Sequence, residues 1–350
     1  MTSVWAPLVL AATTGAMIAL PLAPAIIETI RRKDASPIPT RTDDGNIRNF
    51  AHSLRRYIEP LQGDLTVCAA RNSIIESRLV DGAYALLVGK EGMYDVPEDT
   101  VHTLALFARQ CSLPDNLTFT KDVYAANRVY GGKRNCFRAL LGENDIYLDE
   151  ETYVLRWIHA EGKIMAGQRS RFFGRASSEK AIYLSRECTF ERTHAPAIFT
   201  SSVNEPQAAT DGAPASALPQ KIHKLGRSRI NGDLHLSSDE MLLGNVIVTG
   251  SIKVDERTHI FGSAKGNGDI ELREQVEVQG SLVSTKTIRL APNCYVKGPV
   301  LAEDEIVIGA GTQIGTPNSL TTVSAPRIRL APDCVVHGTL WARVEGRVEA

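Results

Sequence analysis

A parallel β-solenoid is the fold class this sequence predicts, and three observations carry it. The first is a ladder: Leu234, Ile252, Ile270, Ile288 and Ile306 follow at intervals of 18, and Ile328 comes after 22, the surplus being the polar excursion Thr316-Pro317-Asn318-Ser319. The second is a pair of apolar columns set by the rungs. An apolar residue stands two places after each rung (Leu236, Val254, Leu272, Leu290, Ile308, Leu330) and another eight places after it (Leu242, Ile260, Val278, Val296, Ile314, Val336). The third is glycine ten places on, at Gly244, Gly262, Gly280, Gly298 and Gly338. One unit is nearly copied, IRLAPNCYVKG at 288–298 against IRLAPDCVVHG at 328–338.

Apolar residues two apart share one side of a strand. Two such pairs and a third short stretch, separated by turns, make a coil with three faces. Equivalent residues one period apart then stack at about 4.8 Å, the spacing of neighbouring strands. A single coil leaves its apolar face half covered, so coils must stack to bury it. Glycine at a fixed place marks a corner that needs positive φ or close backbone approach. No long run of period 3.6 interrupts the ladder, which excludes helical bundles and Rossmann sheets there.

The repeat, down to its I-x-L-x-x-x-x-x-x-V-x-G phrasing over Ile230 to Val348, resembles that of the bactofilins, bacterial polymer-forming cytoskeletal proteins. The resemblance implies a right-handed, three-sided β-helix that assembles end to end without nucleotide. It also implies work on cell shape or the envelope.

In chain order, residues 1–30 are expected to form a transmembrane anchor. No charged side chain occurs in 1–27, and 4–27 is mostly Ala, Leu, Val, Ile and Met, long enough for one membrane helix. Pro7, Pro21 and Pro24 are tolerable in such a helix. Arg31, Arg32, Lys33, Arg41, Arg48, Arg55 and Arg56 come after it and no basic residue precedes it, which places the amino terminus outside and the bulk in the cytoplasm. The rival is a cleaved leader ending near Ala23-Pro24-Ala25, although a basic n-region is missing.

Residues 31–62 read as a tether and an amphipathic helix. Ile47, Phe50, Leu54, Ile58 and Leu61 share one face, with Arg48, Arg55 and Arg56 near the other. Such a helix either lies on anionic lipid or packs on the following domain, and the pattern alone leaves both open. Residues 63–116 read as a small β-rich lobe that caps the first coil, since open sheet ends invite aggregation. Over 117–200 the beat of 18 appears first, with rungs Ile146, Ile164 and Ile182 and looser coils before them. Arg138-Ala-Leu, His159-Ala-Glu and Thr193-His-Ala-Pro196 resemble, more loosely, segments of longer, membrane-linked polymer-forming proteins. Residues 201–229, rich in Ala, Pro, Ser and Gln, read as a flexible linker. Residues 230–350 form the second solenoid segment. Whether the two ladders make one stack stays open.

Net charge is −1 with Lys and Arg interspersed among Asp and Glu, so no basic face invites nucleic acid. Nucleotide motifs fail: Gly131-Gly-Lys-Arg and Gly89-Lys-Glu lack the P-loop spacing and its Ser or Thr. Three of the six cysteines, Cys188, Cys294 and Cys334, fall six places after a rung, where Thr152, Ser170, Thr258, Val276 and Thr312 stand elsewhere. That column reads as small inward packing rather than a metal or disulfide site. His159 and His194 fall near one column. Hexapeptide-repeat acyltransferases, whose period is also a divisor of 18, use a His on a solenoid as general base, but neither His here has a motif around it.

The expected function is therefore a structural scaffold without cofactor, metal or catalytic residues, assembling as homo-oligomer or polymer at the cytoplasmic face of the inner membrane. Envelope-synthesis proteins are the partners the resemblance implies. The alternatives are a hexapeptide-repeat-type acyltransferase, and a periplasmic envelope or polysaccharide-export component if the leader is cleaved. With the amino-terminal end capped, self-association is expected at the last coil, through Leu340, Trp341, Val344 and Val348.

Overall fold

The structure is a computed structural model and describes residues 5–31, 46–95, 99–200 and 221–350. The chain divides into two compact units, Met1–Asn46 and Ile47–Ala350. In the first, helix α1 spans Trp5–Arg31. Among the described residues, no helix is long and apolar enough to cross a membrane. The spanning anchor expected at 1–30 is thus not supported by the structure, although a helix forms there.

The second unit is a β-solenoid of about 13 turns. It opens with α2 (Asn49–Ile58), a single 3-10 turn at Glu59–Leu61 and α3 (Gln62–Ala70). The apolar stripe Ala51, Leu54, Ile58, Leu61, Leu65 and Cys68 is buried against Leu87, Leu106, Tyr124 and Leu141. Those four residues are register partners on successive parallel strands, so the helices lie along an outer face of the solenoid. Of the two readings of the amphipathic helix, packing on the following domain is the one the structure shows. Its basic side has partners too. Glu143, Glu161 and Glu179 repeat at the coil period; Arg55 grips Glu143 through two bonds of 2.7 Å and also holds Glu161, while Arg48 holds Glu179. The Arg55 guanidinium is held even further above its usual range by these carboxylates.

The lobe expected over 63–116 does not stand apart. Strand Ile74–Arg78 pairs antiparallel with Tyr84–Val88, and the latter is already parallel to Leu104–Phe107, so the first coil starts at Tyr84. Looser side-chain patterning hid these coils: outward positions such as Leu87 and Leu106 are apolar because α2 and α3 cover them, which erases the alternation that marks a half-exposed strand.

Each regular coil has three short strands, as in Ile252–Val254, His259–Phe261 and Ala264–Gly266. The rungs pair in register, Ile146 with Ile164 and Ile182, and Leu234 through Ile252, Ile270, Ile288 and Ile306 to Ile328. All are buried except Leu234, which is half-buried. Outside the barrel the same spacing stacks rings, Tyr130 on Tyr147 at 4.7 Å and Tyr183 on Phe199 at 4.9 Å.

Two devices keep the period. Five places after every rung the backbone turns left-handed, at Glu151, Arg169, Glu187, Asp239, Arg257, Gln275, Asn293, Gly311 and Asp333. The next residue is a small inward one at every such corner but Asp239, where Glu240 follows, and where it carries a hydroxyl or thiol it can donate to a carbonyl of the preceding turn: Thr258 to Ser237 O, Cys294 to Arg273 O, Thr312 to Ala291 O, Cys334 to Gly309 O. The corner glycines are explained by close approach. A Cβ on Gly262 would lie 2.1 Å from Gly244 O, so no side chain fits between stacked corners.

The two ladders join. Thr189–Thr200, the last coil of the first, pairs antiparallel with Val335–Val348, the last coil of the second, through Thr193–Leu340, His194–Thr339 and Ile198–Val336 among others. One hydrophobic core runs through both. The second ladder therefore begins at the far end and runs back to the first. From Thr200 to Lys221 is seven strand spacings, ~34 Å, and residues 201–220 can reach ~66 Å. The expected linker over 201–229 lies partly outside the described residues, and Lys221–Ile230 within it is strand. Its Gly226 pairs with Gly244, one period on.

Candidate functional site

The coil ends and the polar clusters are where this fold could meet a partner. The joint occupies the last coil. Leu340 and Val348 are buried, with Leu340 between Val323 and Thr193, while Trp341 and Val344 are exposed at its rim. Phe190 packs so closely over Gly346 that a Cβ there would meet its ring at 2.2 Å. The four residues expected to pair two molecules tail to tail thus lie at a contact made within one chain. The first ladder ends in a strand, Thr189–Thr200, that pairs with Val335–Val348 and shares its core.

The two remaining ends differ. At the first coil Tyr94 and Val101 are buried, and Tyr94 stands edge-on to Phe107 at 5.2 Å, which closes the core. At the other end Lys221–Ile230 pairs with Glu240–Val248 on one side and with no strand among the described residues on the other. Leu225, Ile230 and Leu234 are only partly buried there, a cross-section of core under an open backbone edge. Lys221, Lys224, Arg227 and Arg229 surround it. Glu240 tempers them, with Lys221 Nζ at 3.9 Å and His223 Nε2 at 3.0 Å. Sequence reasoning missed this strand because its apolar column is broken, His223 standing opposite Leu242 of the next coil; the signal that could have found it is the spacing of 18 between Gly226 and Gly244.

The histidines do share a column, since His159, Ser177, His194 and Thr339 are successive register partners. His159 Nδ1 lies 2.8 Å from Ser177 Oγ and its Nε2 lies 3.6 Å from Glu161. His194 Nδ1 lies 2.8 Å from Thr339 Oγ1. Burial holds both imidazoles below their usual range. A histidine neutral in the fold is protonated first in the unfolded chain, so it adds nothing above about pH 6.5 and costs stability as pH falls below it. His159→Gln is accordingly expected to flatten the loss of thermal stability between about pH 6.5 and pH 5, read as melting temperature against pH. An unchanged slope would mean that His159 is already charged in the fold.

The cysteines are free, and burial pushes the Cys188 thiol up to about 12 and those of Cys294 and Cys334 up to about 11. Such thiols are packing groups rather than nucleophiles. Among the described residues, no group of His, Cys, Asp and Glu could hold a metal ion.

Comparison with family models, curated proteins and solved structures finds no match.

Proposed function

We propose that the chain is a structural scaffold of the bactofilin type, without catalytic activity, that self-associates through its open coil end beside the inner membrane and organises envelope or cell-shape machinery. The carrying observation is the uncovered Lys221–Ile230 edge over the partly buried Leu225, Ile230 and Leu234, whereas at the opposite end Tyr94 and Val101 are buried over Phe107. The joint between the ladders supports the mode: two coil ends of this fold close on each other antiparallel with their cores continuous. A second copy docked edge to edge at Lys221–Ile230 gives a closed two-fold dimer and stops there, because an isologous contact uses up the end. Longer polymers would need the first coil uncovered.

The four cations of the edge would oppose their counterparts in that dimer. Screening shortens from about 30 Å at 0.01 M salt to about 3 Å at 1 M, so dimer content is expected to rise with ionic strength. Light scattering measures it, and Ile230→Asp should leave monomers at every salt concentration. A dimer indifferent to both salt and Ile230→Asp would place the contact elsewhere.

Attachment to the membrane is proposed through α1, whose Leu8, Val9, Leu10, Met17, Ile18, Leu20 and Leu22 are exposed. The cytoplasmic side is inferred from the basic residues after it. A reporter active only in the cytoplasm, fused after Ala350, is expected to work; activity from a periplasmic reporter alone would reverse the placement.

A further inference from the structure

We infer that the face of the solenoid carrying Trp157, Arg175, Arg192 and Trp341 is a docking surface for an anionic lipid bilayer. This rests on the membrane attachment proposed above, and adds that the solenoid itself touches the lipid.

The four residues are successive register partners on neighbouring strands, Trp157 beside Arg175, Arg175 beside Arg192, and Arg192 across the joint from Trp341. They form an outward row three strand spacings long, ~14 Å. Where these strands bend at the next corner stand Leu155, Phe173 and Val344. The five apolar members, Leu155, Trp157, Phe173, Trp341 and Val344, are each between 36% and 62% exposed, which is unusual for residues of this size grouped together.

The arginines are the second feature. Two guanidiniums one rung apart repel, and a fold tolerates that when carboxylates lie between them. Here neither Arg175 nor Arg192 has a carboxylate within 4.0 Å among the described residues, whereas Arg138 and Arg169 of the same ladder do. Arg192 Nε is buried and has no acceptor, and its guanidinium lies over the Trp341 ring at 5.1 Å. Desolvation and the neighbouring Arg175 both act against its charge, so an incoming anion would relieve both. Arg156 adds a third cation, 5.9 Å from the Trp157 ring, and the acids near the patch, Glu187, Glu191 and Glu345, lie at the corner beside Phe173 and Val344 rather than between the two arginines.

Planar guanidiniums bind phosphate oxygens through paired bonds. Indole rings prefer the zone between headgroups and acyl chains, where the ring is apolar and its N–H is wet. Phosphate recognition alone would not call for Leu155, Phe173 and Val344 beside the arginines, and a purely apolar partner would leave Arg175 and Arg192 without an anion. A phospholipid surface supplies both.

The chain has three tryptophans, so Trp5→Phe leaves Trp157 and Trp341 as the only reporters. The full chain with that change is mixed with vesicles of brominated phosphatidylcholine, with and without phosphatidylglycerol. Bromine quenches indole only at the depth of the acyl chains. Quenching is expected with phosphatidylglycerol and should fall severalfold without it, or with Arg175→Gln and Arg192→Gln together, while sedimentation through α1 persists. Sedimentation without quenching would overturn the docking face and leave membrane attachment standing; no sedimentation would overturn both. Quenching unaffected by the arginine changes would also sink the inference. Fluorescence changes reproduced by inorganic phosphate alone would assign the arginines to a free anion, and a change in oligomer size with the arginine variants would assign the face to a second copy.

Discussion

Ile288→Asp is expected to unfold the second ladder. Ile288 is fully buried, with Ile270 and Ile306 as its register neighbours on either side, so the new carboxylate would have no polar partner and no water. Burying such a group costs several kcal/mol or forces it to stay protonated, against a total stability of about 5–15 kcal/mol for a typical domain. The adjoining Glu271→Ala should be close to neutral by comparison, because Glu271 lies on the outer side of the same strands, where exposed ion pairs with Lys253 or Arg289 are worth at most about 1 kcal/mol. Circular dichroism melts of the two variants give the comparison. Equal melting temperatures would shift the register by one residue and turn every side chain of the ladder to the other face.

That contrast rests on a period legible in the sequence alone. The rungs, the apolar residues two and eight places on, and the small column at Cys188, Cys294 and Cys334 could be read because each coil repeats one environment, and one environment selects one residue type. The sequence was silent where a coil has a unique neighbour. Leu87, Leu106, Tyr124 and Leu141 look like core, yet they face α2 and α3 on the outside, so the first coils passed for a separate lobe. The glutamates at 143, 161 and 179 also repeat at the coil period, but their partners Arg55 and Arg48 lie about a hundred residues away and obey the helical period instead.

The joint was hidden for a similar reason. Antiparallel closure of two coil ends leaves no repeat, since Thr193 meets Leu340 and Arg192 meets Trp341 only once in the chain. Leu340 and Val348 continue the apolar pattern whether the surface above them is a second molecule, solvent or the first ladder. The same ambiguity hid the open end. Lys221–Ile230 meets a neighbour on only one side, and polar residues interrupt its apolar column, with His223 opposite Leu242 and Lys224 opposite Leu243.

Leu340→Lys should separate the two ladders rather than two molecules. Leu340 is fully buried between Val323 of its own ladder and Thr193 of the other, so a lysine there either loses its charge or opens the joint. The ammonium's desolvation is worth several kcal/mol, concentrated on one contact while the ladders' internal stacking is untouched. A protease site placed between Thr200 and Lys221 allows the test on the complete chain. After cleavage the wild-type halves are expected to elute together, held by the antiparallel pairing of Thr189–Thr200 with Val335–Val348. With Leu340→Lys they should elute apart, each still showing β-sheet dichroism. Trp341→Lys, one residue on but at the exposed rim, should leave them joined. Halves that stay together in the Leu340→Lys chain would mean that this pairing is not what holds the ladders end to end, and halves that part in the wild type would return the last coil to the role of a free surface.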